Sequence, residues 1–177
     1  MIKATFLSAA TLGLILTAVT ASASSELYIG GVSGTVLKEP SVGAILGYGF
    51  ESRGKDFILG LEFELEYDSV KYPATPSATE DTHAYGVGMH VKAGYNIFSS
   101  LNAYALGGLK TQMFGNSSSS NSAENSNAGH GFGYGAGLEY SMSKSFAVAA
   151  EYRTYSMSAL HLDYDVNMMD VLLKYKF

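Results

Sequence analysis

Three carboxylates alternate through the stretch 56–67, D-F-I-L-G-L-E-F-E-L-E-Y: Glu62, Glu64 and Glu66. In an extended chain they share one face at intervals of about 7 Å. That spacing suits paired carboxylates in acid–base work. The opposite parity, Leu59, Leu61, Phe63, Leu65 and Tyr67, is wholly apolar. A period of two over this length is a strand signal, and a strand with one apolar and one acidic face has two readings. In a soluble sheet the leucines pack a core and the glutamates meet water. In a membrane barrel the polarity inverts, with lipid on the apolar face and charges inside.

The four histidines, His83, His90, His130 and His161, offer a second chemistry. Small barrels can be lipid-A-modifying enzymes that need a His-Ser-acid set on the lipid-facing surface. None of the four lies in a His-x-Ser pattern on a strand, and their spacing is not that of metal ligands. No catalytic residue, metal or cofactor is expected.

Length and composition bound the elements that carry these groups. The 177 residues make one domain, with 20 glycines, 13 tyrosines, 3 prolines and no cysteine. That usage suits many strands in close backbone contact and does not suit a helical bundle. Residues 1–23 read as a cleavable signal peptide: Lys3, an uncharged apolar run over 4–19, and the small-residue site Ala21-Ser22-Ala23. The expected division is a signal peptide over 1–23 and a barrel domain over 24–177. The second part carries 10 basic and 16 acidic residues, net −6, with no basic cluster, which excludes a nucleic-acid partner. After the leader no apolar run approaches the roughly 20 residues of a membrane helix. An exported, cysteine-free, strand-rich chain is therefore periplasmic or an outer-membrane barrel.

Turn signals divide 24–177 into eight alternating segments, about 27–37, 42–52, 56–71, 82–98, 101–115, 129–142, 145–157 and 164–177. The connections after the second, fourth and sixth are two or three residues long. Those after the third (72–81, with Pro73 and Pro76), fifth (116–128, almost all Asn and Ser) and seventh are longer, and 38–41 after the first contains Pro40. Short turns at one end and longer loops at the other are the outer-membrane pattern, with loops outside and both termini periplasmic. A soluble barrel has no reason to segregate its loops by end.

The parity repeats along the chain. Tyr85, Val87, Met89, Val91, Tyr95 and Ile97 oppose a face holding His90 and Lys92. Phe132, Tyr134, Ala136, Leu138 and Tyr140 oppose five glycines and Glu139 over 129–139, counting Gly129 to Gly137 at odd positions. Phe146, Val148, Ala150 and Tyr152 oppose Glu151 and Arg153. Val171, Leu173, Tyr175 and Phe177 oppose Asp170, Leu172, Lys174 and Lys176. In 101–115, Lys110 and Gln112 point inward if Leu109 and Met113 point out, but Tyr104 and Leu106 then point inward too. The first segment has no clear orientation. Glycine weakens a strand, so faces of glycine plus charge suit a narrow interior, where a bare wall makes room for long side chains opposite.

Two segments carry a family resemblance. Gly131-Phe-Gly-Tyr-Gly-Ala-Gly-Leu-Glu-Tyr140, a Ser-Lys turn and Ala149-Ala-Glu-Tyr-Arg153 resemble the penultimate hairpin of the small OmpA-type, opacity-protein-like outer-membrane barrels. Val171, Leu173, Tyr175 and Phe177 resemble the C-terminal signal read by the barrel-assembly machinery. The resemblance implies an all-β, eight-stranded antiparallel up-and-down transmembrane barrel in the outer membrane of a Gram-negative cell. It implies periplasmic chaperones and assembly machinery as partners in biogenesis, and lipid and lipopolysaccharide afterwards. Members serve as adhesins, tethers and resistance factors. No peptidoglycan-binding domain, as some relatives carry, is expected after Phe177.

On this reading Glu62, Glu64, Glu66, Lys92, Lys110, Glu139, Glu151, Arg153, Asp170 and Lys174 form a lumen charge network. Enclosed ions must pair, and midpoint register puts Glu62 near His90 or Lys92 and Arg153 near Asp170. The expected function is non-enzymatic: a charge-plugged structural or adhesive surface protein, meeting a ligand through 72–81 and 116–128. A small ion-conducting pore is the alternative; a lipid-A-modifying barrel enzyme is the weaker one.

Overall fold

The computed structural model describes residues 24–36, 39–51, 56–75, 78–115, 128–159 and 162–177. The expected signal peptide, most of the Asn/Ser segment at 116–127, and His161 lie outside them. Eight strands follow in order: β1 Ser24–Val36, β2 Glu39–Glu51, β3 Phe57–Thr75, β4 Ala78–Phe98, β5 Leu101–Gly115, β6 Ala128–Ser141, β7 Phe146–Ala159 and β8 Leu162–Lys176. Each pairs antiparallel with the next, and β8 pairs with β1 to close the barrel. A backbone in hydrocarbon must satisfy its own hydrogen bonds, and closure leaves no open edge within the wall.

The register fixes the barrel's width. A row of pairs from Thr35 runs through Met169, Tyr152, Ala136, Ala105, Ala93, Leu59 and Phe50, and returns to β1 at Ser25, ten residues away. That stagger tilts the strands and leaves an interior filled by side chains.

The parity of β3 resolves into walls. Phe63, Leu65 and Tyr67 are exposed outside, while Glu62, Glu64 and Glu66 are buried inside. The two strands that resist a sequence reading are also settled. β1 turns Tyr28, Val32 and Val36 inward and Leu27 and Ile29 outward. β5 turns Tyr104 and Leu106 inward together with Lys110 and Gln112.

Aromatic rings mark the end holding both chain termini: Tyr48, Phe57, Tyr95, Tyr140, Phe146, Tyr175 and Phe177 are exposed there. Phe146, Tyr175 and Phe177 meet edge to face in series. The Phe177 N–H donates to the Leu27 carbonyl at 3.0 Å, tying β8 to β1. At the other end Tyr67 and Tyr85 lie on the outer surface. There the outer face of β7–β8 turns polar: Tyr152 Oη donates to Asn167 at 3.2 Å and Ser156 to Asp165 at 2.9 Å.

Two expected loops are strand instead. The sequence predicts a loop over 72–81, but β3 and β4 pair on to Thr75↔Ala78. β2 leaves β3 at Ser41↔Asp68, and β5 leaves β4 at Gly115↔His83. Among the described residues the hairpin therefore continues past its neighbours, with no paired strand on either edge. Pro73 lies on such an edge, where its missing N–H breaks no second ladder. Likewise β2 starts at Glu39, not after 38–41, and Pro40 pairs only with Thr35 of β1. The extra length at this end is thus carried partly by strand.

The interior is less uniformly polar than the parity suggests. Val36, Ala84, Tyr155, Met157, Val166 and Met168 form a fully buried apolar cluster across its outer end. Tyr28, Val32, Ile45, Ala149 and Leu172 pack together lower down.

Bare walls make this filling fit. A Cβ on Gly47 would overlap the Tyr28 ring, and one on Gly137 would stand 2.6 Å from Tyr104. Gly47→Ala is expected to lower stability by about 1–3 kcal/mol through overpacking. Gly31→Ala, with nothing within 4 Å, should stay within about 0.5 kcal/mol of the parent. Urea unfolding in lipid vesicles, followed by gel mobility, compares the two; equal effects would contradict the packing.

Candidate functional site

Among the described side chains, charge enters the lumen from β1 and from each of β3 to β8. Glu62, Glu64 and Glu66 come from β3, His90 and Lys92 from β4, Lys110 from β5, Glu139 from β6, Glu151 and Arg153 from β7, and Asp170, Lys174 and Lys176 from β8, while Glu26 of β1 joins at the mouth. Strand alternation aims them all at one axis.

Nearest the termini, Lys176 meets Glu139 at 3.1 Å and Glu26 at 3.5 Å. Lys174 bridges Glu139 at 2.8 Å and Glu62 at 3.1 Å. Lys92 lies 2.8 Å from Glu62 and is also paired with Glu151. Two phenols complete this tier: Tyr28 Oη donates to Glu62 and Tyr104 Oη to Glu151, each at 2.7 Å. Lys92 also lies 4.2 Å from the Tyr104 ring centre, in cation–π range.

The next tier centres on Arg153. Its guanidinium forks onto Glu64, with Nη2 2.9 Å from Oε1, and its Nε donates to Asp170 at 3.1 Å. A planar fork suits two carboxylates at once. Tyr155 Oη is hydrogen-bonded to His90 Nε2, and His90 Nδ1 lies 3.6 Å from Glu64. Above this, Lys110 pairs with Glu66 and lies 3.8 Å from Asp68, to which Gln112 donates at 2.8 Å.

Each of the three β3 glutamates thus has a basic partner from across the barrel. The ten residues expected in the network all point inward. Sequence reading omitted several residues that join them: Asp68, which continues the alternation 62-64-66, the phenols of Tyr28, Tyr104 and Tyr155, and Lys176 and Glu26 at the mouth. Phenols were hidden because tyrosine also serves the outer girdle. His83 is exposed and stacks on Tyr67, with ring centres 5.6 Å apart. His130 is exposed on the wall. Among the described residues no group of three His, Cys, Asp or Glu could hold a metal ion.

A cavity of about 50 Å³ opens among Tyr28, Phe50, Asn102, Tyr104 and Lys174 at the terminus-bearing end. It has room for a few waters and no organic substrate. Val171, Leu173, Tyr175 and Phe177 all face outward on β8.

Residues 6–177 match the sequence profile of the outer membrane protein beta-barrel domain. The chain belongs to that family. Its place is the outer membrane, and its terminus-bearing end, with the short turns, is the periplasmic one. Solved structures share the barrel's fold at low identity. The N-terminal β-barrel domain of Pseudomonas aeruginosa OprF superimposes with a TM-score of 0.60 at 18% identity, covering 88% of this chain and 100% of that one. Ail of Yersinia pestis gives 0.58 at 20%, covering 88% and 99%. Neisserial surface protein A gives 0.55 at 16%, again over 88% and 99%. No curated protein matches this outer-membrane barrel.

Arg153→Ala strands two buried carboxylates, and is expected to cost the barrel about 3–5 kcal/mol. Glu26→Gln alters a pair whose acid is 31% exposed and should cost less than about 1 kcal/mol. Unfolding midpoints in vesicles measure both; an Arg153→Ala barrel as stable as the parent would show that the fork contributes nothing.

Proposed function

We propose that this outer-membrane barrel is a non-enzymatic, non-conducting scaffold that presents its outer segments to a surface partner. One observation carries the reading: charges paired across the whole lumen and interleaved in its outer half with an apolar cluster of Val36, Ala84, Tyr155, Met157, Val166 and Met168. An ion crossing the barrel would have to break buried pairs and then pass desolvated through apolar packing, and both steps are costly. With the lumen closed, recognition falls to the rim: the projecting β3–β4 hairpin with 72–81, and 116–128.

Charge narrows the partner. The outer segments carry Lys38 and Lys71 against Glu39, Glu80, Asp81, Glu124, Asp163 and Asp165. Ail, an attachment invasion locus protein, has been crystallised with the heparin analogue sucrose octasulfate. The acidic excess here opposes a sulfated polymer and favours a neutral or cationic surface. Export by 1–23, periplasmic chaperones, and recognition of Val171, Leu173, Tyr175 and Phe177 by the assembly machinery complete the proposal.

In planar bilayers the purified barrel is expected to show no conductance steps; steps would favour the small pore. Lipid A from expressing cells should be unchanged by mass spectrometry; a new species would favour the enzyme. Deleting 116–128 should abolish binding of expressing cells to a surface while heat-modifiable migration is retained. Undiminished binding would count against loop-borne adhesion.

A further inference from the structure

The lipid-facing wall is not an even apolar band. On β4 the outward apolar positions run unbroken from Ile97 to Tyr85, and on β3 from Phe57 to Tyr67. On β7 they run only from Phe146 to Tyr152 and give way to Thr154, Ser156 and Ser158. On β8 they stop at Met169, beyond which Asn167, Asp165 and Asp163 are exposed. Exposed Ser33 and Thr35, paired with Val171 and Met169, continue the polar strip onto β1. At about 3.3 Å per residue and a tilt of about 40°, the apolar run rises about 30 Å on β4 but about 15 Å on β7. A membrane barrel needs a band about 25 Å tall. Phe146 stands beside Tyr175 in the periplasmic girdle, so the shortfall of about 10 Å on β7 lies in the outer leaflet.

The change is made in one strand step. Across β6–β7, exposed Tyr134 pairs with Thr154 and exposed Phe132 with Ser156. Polar side chains set against hydrocarbon are costly, and where they occur they mark function. Here they also share a chemistry. Tyr152 Oη and Thr154 Oγ1 both donate to Asn167 Oδ1, which leaves the amide N–H groups of Asn167 for an outside acceptor. Ser156 Oγ donates to Asp165 Oδ1, which leaves the second carboxylate oxygen for an outside donor. Beside them Ser156, Met157, Ser158, Asp163, Tyr164 and Asp165 line an open cleft of about 420 Å³, a volume in the range of small-molecule sites.

Hydrocarbon satisfies none of these donors and acceptors. A second copy related by a two-fold axis would bring Asp163 and Asp165 against their own equivalents. The strip holds no Lys or Arg to receive a phosphate. A sugar hydroxyl both donates and accepts, and so meets the Asn167 amide and the Asp165 carboxylate together. The strip is also continuous with the lipid-facing wall, at the level of the leaflet whose headgroups are sugars. We propose that the outer parts of β7, β8 and β1 form a seat for the sugar headgroup of lipopolysaccharide. The headgroup descends beside the barrel, and the outer leaflet thins there to match the shortened band. Across the barrel, β3 and β4 hold the leaflet at full thickness.

Spin labels read the depth, since the chain has no cysteine of its own. Ala136 lies three strands along the row of Thr35, and the stagger brings the same height about four residues further out, at Phe132. Thr35→Cys and Phe132→Cys therefore carry nitroxides at one level, the first in the strip and the second on the apolar wall. In vesicles containing lipopolysaccharide, a water-soluble nickel chelate is expected to relax the strip label severalfold faster than the wall label. Equal immersion of both in oxygen-rich hydrocarbon would overturn the thinning. A strip label reached by neither oxygen nor nickel, with spin–spin broadening between barrels, would overturn it in favour of a second copy. Equal nickel access in phospholipid vesicles without lipopolysaccharide would overturn the sugar assignment in favour of any headgroup. Lipopolysaccharide retained through detergent purification, measured by mass spectrometry, should fall severalfold in Asn167→Leu and in the smaller change Ser156→Ala, and stay unchanged in Phe132→Leu. All are judged on barrels with heat-modifiable migration, and should Asn167→Leu fail to fold, Ser156→Ala decides alone. Equal retention in the parent and the folded strip variants would overturn the seat. None of these readouts depends on the lumen, whose closure conductance tests separately.

Discussion

A strand in hydrocarbon cannot leave its N–H and C=O groups to water, and everything else in this protein follows from that constraint. The wall must close, and eight strands staggered by ten residues close it around a space only side chains can fill. A space that narrow supplies no bulk solvent to a charge. Each inward Glu, Lys or Arg must therefore find its counter-charge across the barrel, and glycine on the facing strand makes the reach feasible. The Gly47 wall against Tyr28, and the Gly137 wall against Tyr104, are one device used twice.

The network also has a cost, because buried pairs are often no more stabilising than apolar residues of the same shape. Its value here lies in register. Slipping β3 by one residue would turn Glu62, Glu64 and Glu66 towards lipid and Phe63 and Leu65 into the lumen. The Arg153 fork adds a longer-range check, since Glu64 and Asp170 come from strands far apart in sequence and meet only when the barrel is closed in one stagger. Paired charge thus specifies which closed barrel forms, while the hydrogen-bonded wall makes closure necessary.

The wall was legible in the sequence wherever its two faces differ in chemistry. Around 56–67 the faces are leucine against glutamate, and period two decides their direction. β1 was illegible because Tyr28, Val32 and Val36 oppose Leu27 and Ile29, apolar against apolar, and only pairing with β2 and β8 distinguishes them. In β5 the parity that turns Lys110 inward also turns Tyr104 and Leu106 inward, which hydropathy alone does not explain; the Tyr104 hydroxyl is there because it donates to Glu151. The hairpin at 72–81 was hidden by its prolines, which signal a loop unless the strand has a free edge. Partners of the lumen charges were legible as a requirement, not as pairs, because contacts such as Glu64 with Arg153 depend on tilt and stagger across the barrel.

The interior is graded, and the gradation bears on function. Towards the periplasm it is furnished with phenols and slightly hollow. Towards the outside its acids outnumber its bases and are interleaved with a buried apolar cluster. A channel needs a continuous path on which binding is weak enough for release, whereas the described polar groups of the lumen are tied in pairs beside buried apolar side chains. The cavity among Tyr28, Phe50, Asn102, Tyr104 and Lys174 admits only water. What the filling does provide is stiffness beneath the outer rim, where β3 and β4 continue beyond their neighbours. A rigid base lowers the conformational freedom a projecting segment loses on binding, which is the physical link between the filled lumen and the proposed role of the rim.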